Sequence, residues 1–154
     1  MTQLPEVPLE GLYGDAIMDH YRNPRHRIPV PDPDIEAEEF NPFCGDQVTL
    51  QIKLNENGRV VGVSSRSQGC AIIQATASMM AEVMHGKTLE ELQELSHRFR
   101  RMMQANPTGQ EPREALGDLV ALQVVRKYPV RIKCALLPWM ALEEGIEGVG
   151  FPNG

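Results

Sequence analysis

The segment that decides the fold is QVTLQIKLNENGRVVGVSSR, residues 47–66. Polar and apolar side chains alternate strictly over residues 47–54, and this period of two predicts a strand with one buried face. Residues 55–58 read Asn-Glu-Asn-Gly, which predicts a turn because Asn and Gly accept a positive φ. Residues 59–66 then form the returning strand, with Val61 and Val63 facing inward. The segment therefore predicts an antiparallel hairpin.

Helical patterns dominate the sequence on both sides of this hairpin. Four-residue apolar steps and end signals predict helices over about residues 9–21, 71–85, 88–105 and 111–128, and a last helix that stops at Gly145. Alternate prolines between residues 29 and 33 predict an extended tether on the surface. A short strand before Cys44 completes a three-stranded meander. We therefore expect an α+β fold, a three-stranded antiparallel sheet packed against about five helices.

Length and charge limit the classes of function. A chain of 154 residues suits one domain, which we expect to span residues 1–154 with flexible ends at 1–8 and 147–154. Fifteen basic and 21 acidic residues give a net charge of −6, which argues against a nucleic acid or a membrane surface as partner. The longest uncharged run, residues 67–81, is too short to span a bilayer. Residues 1–6 do not resemble a signal peptide, so we expect a cytoplasmic protein.

The three cysteines carry the chemistry, and all lie at predicted junctions. Cys44 is followed by Gly45 and Asp46, so its thiol and the Asp46 carboxylate can face the same side of an open turn. Cys70 begins a predicted helix, where the helix dipole favours a thiolate. Cys134 follows two cations, at residues 131 and 133.

Two interpretations of these residues remain open from spacing alone. Three thiolates and one carboxylate suit Zn²⁺ or the iron of a small cluster. Scattered cysteines outside a Cys-x-x-Cys pair are also common as small buried apolar residues, and Asp46 alone is typical of a turn.

Four motifs resemble the IscU/SufU family of iron–sulfur cluster assembly proteins, whose members are similar to the N-terminal part of NifU. They are LYGDAIMDHYRNP at residues 12–24, NPFCGD at 41–46, GCAI at 69–72 and KC at 133–134. The resemblance covers about residues 9–146, with the motifs in order. It implies that Cys44, Asp46, Cys70 and Cys134 converge at one end of a three-stranded sheet packed against helices.

Two features resemble the SufU-type branch of that family. Lys133 precedes the third cysteine where the IscU branch has a histidine, and an extra helical stretch separates Cys70 from Cys134. The resemblance implies a zinc site in which Cys44 takes sulfur from a SufS-type cysteine desulfurase, while Asp46 and the other two cysteines remain zinc ligands. In that branch a histidine of the desulfurase replaces the acceptor cysteine on the metal. Arg131 matches an arginine that docks the desulfurase, and we place Lys133 on the same surface. The alternative for Arg131 is a solvated residue at a helix start.

The resemblance predicts a zinc-dependent sulfur acceptor that passes persulfide sulfur to a downstream cluster scaffold. Such a protein acts as a sulfurtransferase-like partner of the desulfurase rather than as a stand-alone enzyme. The main alternative is a scaffold on which a [2Fe–2S] cluster is built on the same cysteines, and a third is a purely structural zinc domain. Lys133 and the long Cys70–Cys134 segment favour the carrier.

Three further residue groups have structural interpretations. Pro138 has no N–H for the carbonyl of Cys134, so either a helix begins close to Cys134 or it kinks there. We expect His20 to be structural or exposed, and the basic cluster at residues 22–27 to be a solvated surface. Leu137, Trp139 and the segment at residues 71–73 are candidates for an apolar partner surface.

Overall fold

The computed structural model of the protein describes residues 11–41, 45–104 and 116–149. In chain order the elements are α1 (Gly11–Arg22), β1 (Ile35–Asn41), β2 (Asp46–Leu54), β3 (Val60–Gln68), α2 (Ala71–Met84), α3 (Leu89–Gln104), a 3₁₀ helix (Gly117–Lys127) and α4 (Pro129–Gly148). The expected α+β fold with one three-stranded sheet and five helices is confirmed. None of the helices in these ranges combines the length and the hydrophobicity that crossing a membrane requires.

The sheet has the order β1-β2-β3, and both pairs are antiparallel. The predicted hairpin is confirmed, with Val48, Leu50 and Ile52 fully buried, and burial of each such side chain contributes roughly 1.5–3 kcal/mol. The inward placement of Val61 is wrong, since this side chain is 47% exposed. A bulge opposite Lys53 and Leu54 shifts the register, so Val60 takes the buried position instead.

The helices cover the inner face of the sheet. Trp139 of α4 is completely buried and stacks on Phe99 of α3, with ring centroids 5.1 Å apart. The suggestion that Leu137 and Trp139 form a partner surface is therefore wrong, because both side chains belong to the core. A capping box precedes α3: the Thr88 hydroxyl accepts from the Glu91 N–H at 3.2 Å, and the Glu91 carboxylate accepts from the Thr88 N–H at 3.0 Å.

The last helix extends beyond its predicted bounds. It begins at Pro129, which excludes a start close to Cys134 and places Pro138 well inside the helix; the alternative of a kink stays a prediction. It continues through Gly148 rather than stopping at Gly145. Gly145 faces β1, where a Cβ would lie 2.6 Å from the Ile35 side chain. This glycine therefore permits close helix–sheet packing and does not end the helix.

The tether before β1 crosses the outer face of the sheet. The His26 carbonyl accepts from the Ser65 N–H at 2.7 Å, the Val30 N–H donates to the Gln51 side chain at 3.0 Å, and the Asp34 N–H donates to the Ile52 carbonyl at 2.8 Å. The tether thus runs from β3 over β2 towards β1, and the prediction of a surface connector is confirmed.

Candidate metal centre

Asp46, Cys70 and Cys134 meet at one end of the sheet. Asp46 is the first residue of β2, Cys70 immediately precedes α2, and Cys134 lies in the second turn of α4. One ligand atom from each lies within 4.8 Å of the other two. The structure thus brings together three of the four residues that the sequence indicated, and Cys44 lies outside the described residues.

The Asp46 carboxylate is held by the chain just before α2. It is almost completely buried, and its Oδ1 accepts a hydrogen bond from the Cys70 N–H at 3.3 Å. Gly69 has a φ of +137°, and a Cβ on this residue would lie 2.9 Å from the Asp46 Cγ. Only glycine permits this approach, so Gly69 helps to place a candidate ligand, a role that the sequence analysis did not identify.

The second carboxylate oxygen of Asp46 is suited to bind a cation. Oδ2 is buried and accepts no hydrogen bond within the described ranges. Burying a carboxylate oxygen without a partner is costly, and a cation between Asp46 and the two thiols would remove that cost. Two sulfurs and one carboxylate oxygen form a donor set that suits Zn²⁺. The residues present therefore fit a zinc ion.

The Cys70 and Cys134 side chains shift each other's pKa. A hydrogen bond from the Cys134 thiol lowers the pKa of Cys70 to about 6, against the effect of burial, and the Ile73 N–H and Arg131 contribute in the same direction. The same hydrogen bond, together with burial and Asp46, raises the pKa of Cys134. A bound metal would hold both sulfurs as thiolates.

Arg131 and Lys133 lie on α4 beside Cys134 but in different surroundings. Arg131 is half-buried; burial lowers the pKa of its guanidinium, but its interactions with Cys70 and Cys134 outweigh that effect and raise it. Its charge thus offsets the negative charge of the thiolates. Lys133 is exposed, in a position to contact a partner at the same end of the molecule.

A second cluster contains His20, Glu82 and Asp118. The buried His20 ring lies with Nδ1 2.8 Å from the Ser78 hydroxyl and Nε2 3.0 Å from the Asp118 carboxylate. The Asp118 carboxylate can only accept, so the ring N–H lies on Nε2. The Ser78 oxygen also accepts the Arg25 N–H at 2.9 Å. This network ties α1, α2 and the 3₁₀ helix together, and the structural interpretation of His20 is confirmed.

Comparisons with known proteins agree with this geometry. The profile of the NifU-like N terminal domain family matches residues 12–135. The chain is 43% identical over 140 residues to the zinc-dependent sulfurtransferase SufU of Bacillus subtilis (strain 168), covering 90% of this chain and 91% of that protein. It is 36% identical to the iron–sulfur cluster assembly scaffold protein IscU of Streptococcus pyogenes serotype M1, covering 90% and 85%.

The fold is also that of a solved relative. The crystal structure of the N-terminal part of a nitrogen-fixing NifU-like protein from Brucella abortus superposes with a TM-score of 0.79 at 27% identity, covering 90% of this chain and 94% of that one.

Proposed function

Because this chain belongs to the NifU-like N terminal domain family, we propose that it is a zinc-dependent sulfur acceptor that works with a cysteine desulfurase in iron–sulfur cluster assembly. The convergence of Asp46, Cys70 and Cys134 around a buried carboxylate oxygen without a hydrogen-bond partner carries this proposal. The similarity to a protein named as a zinc-dependent sulfurtransferase supports zinc and sulfur transfer.

We assign four residues to the metal: Cys44, Asp46, Cys70 and Cys134. When bound, zinc supplies a redox-inert charge that keeps thiolates deprotonated at neutral pH. The protein fixes the positions of the donor atoms, since Gly69 packs against Asp46 and Cys134 on α4 is completely buried. Arg131 reduces the net negative charge of four anionic ligands.

Cys44 is the residue that suits sulfur transfer. Cys134 has no exposed surface and Cys70 is only partly exposed, so Cys134 offers no sulfur that a partner can approach and Cys70 offers little. Gly45, next to Cys44, has a φ of +69° and open space where a Cβ would lie, which leaves room beside the acceptor.

Sulfur transfer from the desulfurase persulfide to Cys44 requires no added oxidant. The Cys44 thiolate attacks the terminal sulfur of the desulfurase persulfide and forms a new S–S bond. The S–S bond of the partner breaks, and its electron pair leaves with the cysteine thiolate of the desulfurase. Arg131 and the exposed Lys133 would then contact the desulfurase at this end of the molecule, a SufS-type enzyme in our proposal, and the sulfur would pass on to a downstream scaffold.

Desulfurase turnover tests this function. We expect the wild-type chain to accelerate alanine production from L-cysteine by the desulfurase of its own host, and Cys44→Ser to abolish the acceleration. Asp46→Ala should also abolish it, but with loss of bound zinc, whereas Arg98→Gln, at a partly exposed position of α3, is a control that should change neither. Full acceleration by Cys44→Ser would contradict the proposal.

The second candidate is a scaffold for a [2Fe–2S] cluster on the same ligands, which the similarity to a protein named as an IscU scaffold favours. Accumulation of iron and sulfide on the chain in the desulfurase reaction, without an added sulfur atom on Cys44, would establish the scaffold function instead.

A further inference from the structure

We propose that the outer face of the sheet carries a binding site for a small oxyanion, a carboxylate or a phosphate, between Arg27 and Arg66. This site lies on the opposite face of β2 from the metal centre, because Asp46 points inward and its neighbour Gln47 points outward. It goes beyond sulfur transfer and requires no residue of the metal centre.

A cavity of about 410 Å³ lies at this position. Its floor is formed by paired residues of adjacent strands, since Gln47 pairs with Gln68 and Thr49 pairs with Arg66. The tether covers the half of the outer face around Gln51. Among the described residues, the half nearer the metal centre forms the cavity.

The tether itself supplies one wall. His26 adopts a φ of 58°, which is unusual for a residue other than glycine, and its carbonyl accepts the Ser65 N–H at 2.7 Å. This contact places the next residue, Arg27, against the cavity opposite the strands. Two guanidinium groups that are distant in the sequence thus line one cavity.

The hydrogen-bond donors of this cavity exceed its acceptors. The Arg66 Nε is buried and donates to no acceptor in the described parts of the chain. Within those same parts, neither Arg27 nor Arg66 forms an ion pair. The one carboxylate in the lining, Glu38, accepts from the Thr49 hydroxyl at 3.4 Å. Two guanidinium groups against one carboxylate leave a net positive charge.

This surplus of donors defines the ligand. A guanidinium group presents a planar fork that matches two oxygens of a carboxylate or phosphate, and an oxyanion would give the buried Arg66 N–H the acceptor that it lacks. The amides of Gln47 and Gln68 can donate to the same anion. The cavity is several times larger than one phosphate group, so it has room for the rest of a small metabolite.

Titration of the full chain with inorganic phosphate and, separately, with acetate tests the site at constant ionic strength. We expect at least one anion to cause saturable shifts of the Arg66 Nε–H and the Gln47 and Gln68 side-chain amides in ¹H–¹⁵N NMR spectra. Binding of phosphate alone would assign a phosphorylated ligand, and binding of acetate alone a carboxylate.

Two variants and one control separate a built site from general charge attraction. Arg66→Gln should weaken binding about tenfold or more, and Arg27→Gln, which leaves the sheet intact, should weaken it in the same direction. Arg98→Gln makes the same charge change on α3 and should have an effect below about twofold. Shifts that do not saturate with either anion, or equal binding by Arg27→Gln and wild type, would overturn the proposal. Since no desulfurase is present, that failure would leave the proposed sulfur transfer intact.

Discussion

A methyl group at position 69 should weaken zinc binding, because it would occupy the space of the Asp46 carboxylate. In Gly69→Ala the new Cβ would lie 2.9 Å from the Asp46 Cγ and 3.1 Å from its Cα, where ordinary contacts begin at 3.4 Å. The backbone of Asp46 is fixed in β2, so the carboxylate is the group that must move. Any such movement takes Oδ1 away from the Cys70 N–H and changes the geometry of the three candidate ligands.

The magnitude of this effect has two parts. The φ of +137° at Gly69 costs an L-residue roughly 1–3 kcal/mol, and overpacking at a closely packed site costs about 1–3 kcal/mol. The backbone cost lowers only the free energy of unfolding. If the overpacking cost destabilises the zinc-bound state, the dissociation constant for zinc rises roughly 5- to 150-fold, since 1.4 kcal/mol is a factor of ten.

Gly58→Ala is a matched control for the backbone part. Gly58 has a φ of +75° in the β2–β3 turn and open space where its Cβ would lie. It should lose about 1–2 kcal/mol of stability without a change in zinc affinity. Competition with a chromophoric chelator measures the affinity, and urea unfolding measures the stability. Equal zinc affinity for Gly69→Ala and Gly58→Ala would refute the argument that Gly69 positions Asp46.

Three further predictions concern the fold around the site. Asp118→Ala should leave the buried His20 N–H without an acceptor and lower the free energy of unfolding by about 1–3 kcal/mol with zinc content unchanged; an unchanged urea midpoint would contradict this. Gly145→Ala should cost about 1–3 kcal/mol by pushing α4 away from β1, whereas Gly148→Ala, which has open space around it, should cost less than about 0.5 kcal/mol; equal urea midpoints for the two would contradict this. A hydrogen bond with Glu144 on α4, together with burial, raises the pKa of Glu39 to about 7. The contribution of Glu39 to stability is therefore present in acid and is lost as the pH rises through about 7. Glu39→Gln should therefore raise the urea midpoint at pH 8 relative to wild type but not at pH 5, and an equal gain at both would contradict this.

Local patterns predicted most of the sheet and the early helices. The alternation over residues 47–54 is a direct consequence of side chains pointing to opposite faces of a strand. The inward prediction for Val61 was wrong because a β-bulge adds one residue to β3, and alternation in the sequence does not reveal a bulge.

The errors in α4 have a common cause. Pro129 looked like the end of the preceding helix but occupies the first turn of α4, where its missing N–H costs nothing. Gly145 looked like a helix end but permits contact with β1. Proline and glycine each have two opposite uses, and only the packing partner distinguishes them.

The sequence predicted only part of the candidate metal site. Spacing alone left the cysteines ambiguous, and the family resemblance implied their convergence. The packing of Gly69 on Asp46 and the hydrogen bond between His20 and Asp118, 98 residues apart, leave no local pattern. Contacts of that kind depend on how β2, α1 and the later helices assemble.

Mass spectrometry of the chain after reaction tests the central claim most directly. The zinc-loaded protein is mixed with L-cysteine and the desulfurase of its host, alkylated without reductant, and analysed intact and as peptides, with zinc measured in the same sample. The proposed function predicts one added sulfur atom, located on Cys44, with zinc retained on the chain. An added sulfur on Cys70 or Cys134, or no added sulfur while turnover rises, would contradict the assignment of Cys44 as the acceptor.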